Sequence, residues 1–368
     1  MRKYYLDNIR WSTLVIVVIY HVFYMYNAEG IVGGIGRITD LPVQYYDVFM
    51  YLVYPWIMPV LFLVSGIVSR IYLMSHTDRE FIIARTRKLL VPSTIGLFVF
   101  QFVQGYVNLS ISGAFKDMTD IGIPKPVIGL VMIASGSGVL WFMQLLWAYC
   151  MLLILARKIE KGRLLDLGKK TPVWLIILFF FPVWGGAQIL NTPIVVVYRI
   201  GFYCLFFFLG YYVFSNDDVM DKLTSLAVPA IAAGLVLSLV FSAVYFFIKG
   251  QMNYADVPVN RGPLFSASAY FGSLAMLAGM ARFGNRTGRF ASWMSKRSFG
   301  LYVFHYLGIS SVALYIGRPH LLPAPACYIL SLIAGFVFGF GLYYIISRIP
   351  FFRWAVLGIK KEKKTDVQ

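Results

Sequence analysis

Long apolar runs alternate with short charged segments along the whole chain, and the runs have the length of membrane spans. A helix crossing the hydrocarbon core of a bilayer needs about 20 mostly apolar residues. Ten stretches read this way: 11–27, 45–73, 89–107, 138–156, 172–190, 194–214, 223–248, 264–281, 298–316 and 324–347. The second is long enough to be tilted or broken. Val127 to Ser135, before the Gly-Ser-Gly at 136–138, is apolar but too short to cross alone, and reads as re-entrant or interfacial. The pattern predicts an all-α polytopic membrane protein of about ten transmembrane helices, both termini on one side. Residues 1–350 read as one membrane domain and 351–368 as a basic tail. The first run has the charged start of a signal peptide, but it carries Arg10 and His21 and nine further spans follow it, so it reads as retained.

Composition sharpens the class. The chain is 59% hydrophobic and 13% charged, where a soluble domain is about half apolar and about a quarter charged. That excludes a soluble enzyme, a disordered chain and a nucleic-acid binder, despite 33 Lys and Arg against 16 Asp and Glu and a net charge of +17. With the N-terminus inside, 26 cations fall in cytoplasmic segments and six in outer loops, leaving Arg199 within a span. Ten acidic residues lie inside and six outside, so the inner face carries +16 and the outer face is neutral. Such a bias is the ordinary topology signal, and it also suits an anionic cytosolic ligand. Cys150, Cys204 and Cys327 lie far apart in apolar runs and read as small hydrophobic fillers.

Ionisable side chains within spans are expensive and mark candidate sites. Arg10 and His21 are eleven residues apart, nearly three whole helical turns, so they share a face with His21 about 16 Å deeper, and Asp7 lies within about 40° of the same stripe. If the helix enters the membrane near Arg10, His21 sits close to the midplane. An imidazole there is a general base, a proton relay or a hydrogen-bond bridge between helices. Metal binding is disfavoured, because no second His stands at helical spacing and acidic residues are almost absent from the spans. His305 and Arg199 are further intramembrane candidates, whereas His76 and His320 fall in loops. Arg85 and Lys88, one turn apart before the third span with Arg87 slightly off their face, either grip a phosphate or snorkel to lipid headgroups. Ser65 with Gly66, Trp141 and Tyr302 are weaker candidates, since close helix approach, packing and aromatic belts account for such residues equally well.

Taken in order, these segments resemble the acyltransferase-3 family of membrane acyltransferases. LDNIRWSTLVIVVIYH is similar to that family's opening L-D-x-x-R, ten residues and His, carried by Leu6, Asp7, Arg10 and His21. PVLFLVSGIVSR resembles its F-x-x-S-G segment, VLWFMQLLW its L-W-F, and SFGLYVFHY its S-x-x-x-Y-x-x-H. RTRKLLVPS stands where the family has two arginines three apart before a proline; here Lys88 takes the second place and Arg87 is displaced by one. The ending YYIISRIPFFRWAVLG resembles the branch that succinylates periplasmic glucans.

The resemblance implies transfer of an acyl group, acetyl or succinyl, from cytosolic acyl-CoA to a hydroxyl of an extracytoplasmic glycan, in the inner membrane of a bacterium and without a metal. His21 is then the general base, with Arg10 and Asp7 beside it. Arg85, Lys88 and Arg87 face the donor, and Arg199, Ser65, Trp141, Tyr302 and His305 bind or support substrate. The alternative reading is a transporter of a small solute or glycan precursor without acyl transfer. Against it, neither related halves nor matching broken helices stand out.

Overall fold

The structure is a computed structural model that describes residues 3–190 and 198–360. All regular elements among the described residues are helical. In chain order they are α1 (Tyr4–Met25), α2 (Val48–Leu73), α3 (Asp78–Ser112), α4 (Lys125–Ser135), α5 (Gly138–Glu160), α6 (Val173–Gly186), α7 (Ile200–Tyr212), α8 (Ala227–Ile248), α9 (Pro263–Phe283), α10 (Arg289–Gly317), α11 (Ala324–Ile346) and α12 (Pro350–Leu357). Shorter helices lie in the connections. Helix is the form an open chain must take in hydrocarbon, where every backbone N–H and C=O has to be satisfied within its own segment. Eight of these helices are long and apolar enough to cross a bilayer, and the chain is an all-α polytopic membrane protein.

Three expected spans differ in detail. The first helix begins at Tyr4, not near residue 11, so Asp7 falls in its first turn, where a carboxylate complements the helix dipole. The stretch 172–190 forms only α6, about 21 Å long. It is interrupted at Phe179, because Pro182 has no N–H and its ring clashes with the Leu178 carbonyl. Of the stretch 194–214, the described residues form the 13-residue α7, and 194–197 lie outside the described residues. Neither α6 nor α7 alone matches the roughly 30 Å hydrocarbon thickness. By contrast α2 runs unbroken for 26 residues through Pro55 and Pro59, and the stretch 127–135 lies within the 11-residue α4.

The chain packs as two compact units of interleaved sequence: residues 1–78 with 148–298, and 79–147 with 299–368. In the first, α2 and α7 touch backbone to backbone. A methyl group on Gly66 would stand 2.0 Å from the Phe207 carbonyl oxygen, and one on Gly210 would stand 2.0 Å from that of Leu63. Only glycine permits such an approach, and Phe62, Phe202, Phe206 and Phe207 are fully buried around it.

In the second unit, hydrogen bonds between helices supplement the packing. The Gln104 amide on α3 donates to the Ser310 hydroxyl on α10 at 3.0 Å and to Asn108 at 2.8 Å, and Asn108 donates to the Ser135 carbonyl of α4 at 2.8 Å. Part of the expected tail is structured: α12 buries Ala355, Val356 and Leu357 against the 91–96 turn of α3. Residues 361–368 lie outside the described residues.

Candidate active site

Asp7, Arg10 and His21 all stand on α1, in the first unit. The helix midpoint falls between residues 14 and 15, so His21 lies about 10 Å beyond it, toward the Met25 end. His21 is half-buried, and its Nδ1 lies 2.9 Å from the Val17 carbonyl oxygen one turn back. A carbonyl can only accept, so Nδ1 carries a proton, and in the neutral form of the ring the lone pair is on Nε2. Arg10 is exposed. Asp7 lines a polar cavity of about 170 Å³ together with Tyr4, Ser292, Ser295 and Lys296, where the start of α1 meets the start of α10. The cavity wall is fixed by Asn8, whose amide donates to the Gly284 and Arg286 carbonyls at 2.7 and 2.8 Å.

On the same unit a group of tyrosines, Tyr20 and Tyr254 buried and Tyr54 half-buried, links His21 to Arg199. The Tyr20 ring lies 5.2 Å from the His21 ring and stacks on Tyr54 at 5.8 Å. Tyr54 packs against Tyr254 at 4.3 Å, and the Tyr20 and Tyr254 hydroxyls are 3.0 Å apart. Arg199 immediately precedes α7 and is 2% exposed, so it faces the protein interior as an intramembrane cation must. Its Nη2 donates to the Tyr54 hydroxyl at 2.5 Å, and its guanidinium carbon stands 5.1 Å from the Tyr54 ring centre and 4.8 Å from that of Phe265. These contacts satisfy the faces of the guanidinium and one N–H. They do not neutralise its charge, and among the described residues the buried Nε–H has no acceptor; a buried donor left unpaired costs about 1–3 kcal/mol.

An acidic pair went unnoticed in the sequence, where it counted only as loop charge. Asp47, fully buried, accepts from the Gln44 amide at 2.8 Å and from the Ala28 N–H at 3.2 Å. The Gln44 amide also donates to the Tyr26 carbonyl at 3.1 Å. Both carboxylate oxygens of Glu29 and Oδ1 of Asp47 are buried and, among the described residues, meet no donor in hydrogen-bonding geometry. Burial, reinforced by the Asp47 charge, pushes the Glu29 carboxyl up to about 8. No sequence signal distinguishes two acids 18 residues apart in a loop from solvated ones.

Ser65 is half-buried on α2, and its carbonyl accepts from the Ser69 hydroxyl at 2.8 Å. The other candidates belong to the second unit. Arg85, Arg87 and Lys88 sit where α3 changes from α to π geometry over Thr86–Leu90. Lys88 is exposed, Arg85 and Arg87 are half-buried, and the Arg85 guanidinium lies over the Phe81 ring at 4.9 Å. Gly358, at φ +61°, ends α12 against this turn; a side chain there would stand 2.3 Å from the Arg87 carbonyl oxygen. Tyr302 is 6% exposed, donates to the Val139 carbonyl and packs on Phe142 at 5.9 Å, a tie between α10 and the start of α5. Trp141 is half-buried beside Phe142. His305 is fully buried, with Nδ1 at 2.9 and 3.0 Å from the Leu301 and Tyr302 carbonyls. His76 and His320 are exposed.

Eight helices among the described residues that are long and apolar enough to cross a bilayer define the chain as an integral membrane protein. The sequence model of the acyltransferase domain of the acyltransferase-3 type matches residues 3–348, nearly the whole chain. The chain belongs to that family and is a multi-pass membrane acyltransferase, taking an acyl group from a donor to a hydroxyl acceptor. No curated protein and no solved structure matches it.

Proposed function

We propose that the protein is an O-acyltransferase of the bacterial inner membrane that moves an acetyl or succinyl group from cytosolic acyl-CoA to a hydroxyl of an extracytoplasmic glycan. The observation that carries this reading is the His21 hydrogen bond to Val17, which leaves Nε2 as the basic nitrogen. In the proposed step Nε2 takes the proton of the acceptor hydroxyl while its oxygen bonds to the thioester carbonyl carbon. The C–S bond then breaks, and the proton on Nε2 passes to the departing thiolate, so no proton is gained or lost overall.

Arg10 stands about 16 Å from His21 along α1, too far to serve the carbonyl under attack. Its role is to hold the anionic part of the donor, oriented by Asp7 one turn away. The cavity lined by Asp7 and Lys296 and the excess of cations in the segments assigned to the cytoplasm support entry of a polyanionic donor from that side. Arg85, Lys88 and Arg87 grip donor phosphates. Trp141, Tyr302 and His305 hold the surrounding helices in place, and Ser65 lies where α2 meets α7.

The test is incubation of the purified protein in lipid with radiolabelled acetyl-CoA or succinyl-CoA and candidate glycans. Label appearing on the glycan, with release of free CoA, is the expected result. Absence of thioester loss with every donor, together with counterflow of an unmodified solute, would overturn it in favour of transport.

A further inference from the structure

Arg199 is a buried cation that the proposed proton transfer does not use. It makes no ion pair with a described residue, and residues 191–197, Asn-Thr-Pro-Ile-Val-Val-Val, contain no acid. The acids near the tyrosine group, Glu29 and Asp47, act on Tyr51, and the Tyr254 ring intervenes between Tyr51 and Tyr54 in the sequence of ring contacts. The guanidinium is therefore walled by Tyr54 and Phe265, with its Nε–H buried and without an acceptor among the described residues. Tyr54, which accepts from Arg199, keeps its own O–H to donate.

We propose that Arg199 and Tyr54 form a subsite for a carboxylate carried by one of the two substrates. A buried charge calls for one opposite charge and a full set of hydrogen bonds. A carboxylate supplies a single negative charge and two oxygens, one for the Arg199 Nε–H and one for the Tyr54 O–H. A phosphate is the poorer match, because a lone guanidinium among aromatic rings would leave its second charge unpaired. Successive contacts connect Arg199 through Tyr54 and Tyr20 to His21, so in this proposal the carboxylate belongs either to the far end of a short dicarboxylic acyl chain or to a uronate of the acceptor. The inference rests on the acyl-transfer reading above and extends it from the reaction to the charge of its substrate.

The experiment compares wild type, Arg199→Gln, Arg199→Lys and Tyr54→Phe in lipid nanodiscs. One arm sets succinyl-CoA against acetyl-CoA with a neutral glucose oligomer; the other sets a glucuronate-bearing oligomer against the neutral one with acetyl-CoA. A site built to pair a polar group rejects an analogue lacking it strongly, so the wild type should favour the carboxylate-bearing partner in one arm by at least about a hundredfold in kcat/KM. Arg199→Gln should bring that ratio close to one, with Arg199→Lys and Tyr54→Phe in between. The arm that responds identifies which substrate carries the carboxylate. If Arg199→Gln does not fold, the other two variants decide, and a ratio unchanged in both overturns the inference. So does a wild type without preference in either arm.

Binding of a carboxyethyl thioether of CoA, against its ethyl counterpart, and of the uronate oligomer, against the neutral one, separates this result from failure of acyl transfer. Arg199-dependent discrimination without turnover upholds the subsite and removes the transfer reading. Turnover without discrimination does the reverse, and absence of both turnover and discrimination removes both.

Discussion

Replacing His21 by Ala is the most direct test of the proposed chemistry, and the structure separates its catalytic effect from its structural one. A positioned general base contributes about 10²–10⁴ in rate, or about 2.7–5.4 kcal/mol of barrier. The structural losses are smaller. The bond from Nδ1 to the Val17 carbonyl is internal to α1 and has a net value of about 0.5–1.5 kcal/mol. The edge contacts with Tyr20 and Tyr24, at 5.2 and 5.8 Å, add about as much again, and the better helix propensity of Ala returns up to about 0.7 kcal/mol. The variant should therefore fold with a stability within about 2 kcal/mol of wild type, yet transfer label at least about a hundredfold more slowly. His21→Gln sharpens the comparison, because its amide restores an N–H donor but has no basic nitrogen. It should be as slow as Ala. The assay is initial-rate transfer of radiolabelled acyl groups in nanodiscs, alongside thermal unfolding of the same preparations. A near wild-type rate in either variant refutes the base assignment, and a rate loss that merely tracks loss of folded protein refutes the separation argued here.

Three further outcomes follow from the geometry. Arg85→Ala combined with Lys88→Ala should raise the donor KM by about tenfold or more, each charge-assisted contact being worth about 1.5–3 kcal/mol, with the acceptor KM unaffected; unchanged donor affinity reduces these cations to topology signals. Gly66→Ala forces a methyl to within 2.0 Å of the Phe207 carbonyl, an overpacking cost of about 1–3 kcal/mol or more that outweighs the roughly 1 kcal/mol gained in helix propensity, so thermal unfolding should move to lower temperature; an unchanged or higher midpoint would contradict the close approach of α2 and α7. Glu29 holds its proton more tightly folded than unfolded, so the folded state binds more protons between the ordinary carboxylate range and about 8, and stability should fall as pH rises through that window. Glu29→Gln should flatten that decline and raise the unfolding midpoint at pH 8; an unaltered pH profile counts against the buried pair.

Much of the architecture was legible because hydrophobic run length reports directly on bilayer thickness. The runs near 11–27 and 45–73 became α1 and α2, while 172–190 and 194–214 gave the shorter α6 and α7 because run length does not register the local effect of Pro182 or how far each helix continues. The relation of Asp7, Arg10 and His21 on one helix was readable because helical periodicity fixes it. The tautomer of His21 was not, since it depends on a carbonyl whose position follows only from the folded backbone. Arg199 could be singled out as a misplaced cation, yet its companions Tyr20, Tyr54 and Tyr254 were lost among 25 tyrosines, because only tertiary packing brings residues so distant in sequence around one guanidinium. Glu29 and Asp47 were hidden for the same reason.

The π turn at Thr86–Leu90 bears on how this chain should be compared with its relatives. A helix widens in this way when it accommodates an extra residue without breaking, so the segments before and after the turn keep their own registers. Matching the cations by counting from Pro92 pairs Lys88 with the second arginine of the motif and leaves Arg87 without a counterpart. An alignment that opens a one-residue gap inside the turn treats Arg87 as the equivalent instead. Counting through the turn and aligning around it therefore assign the second cation of the motif differently, to Lys88 or to Arg87.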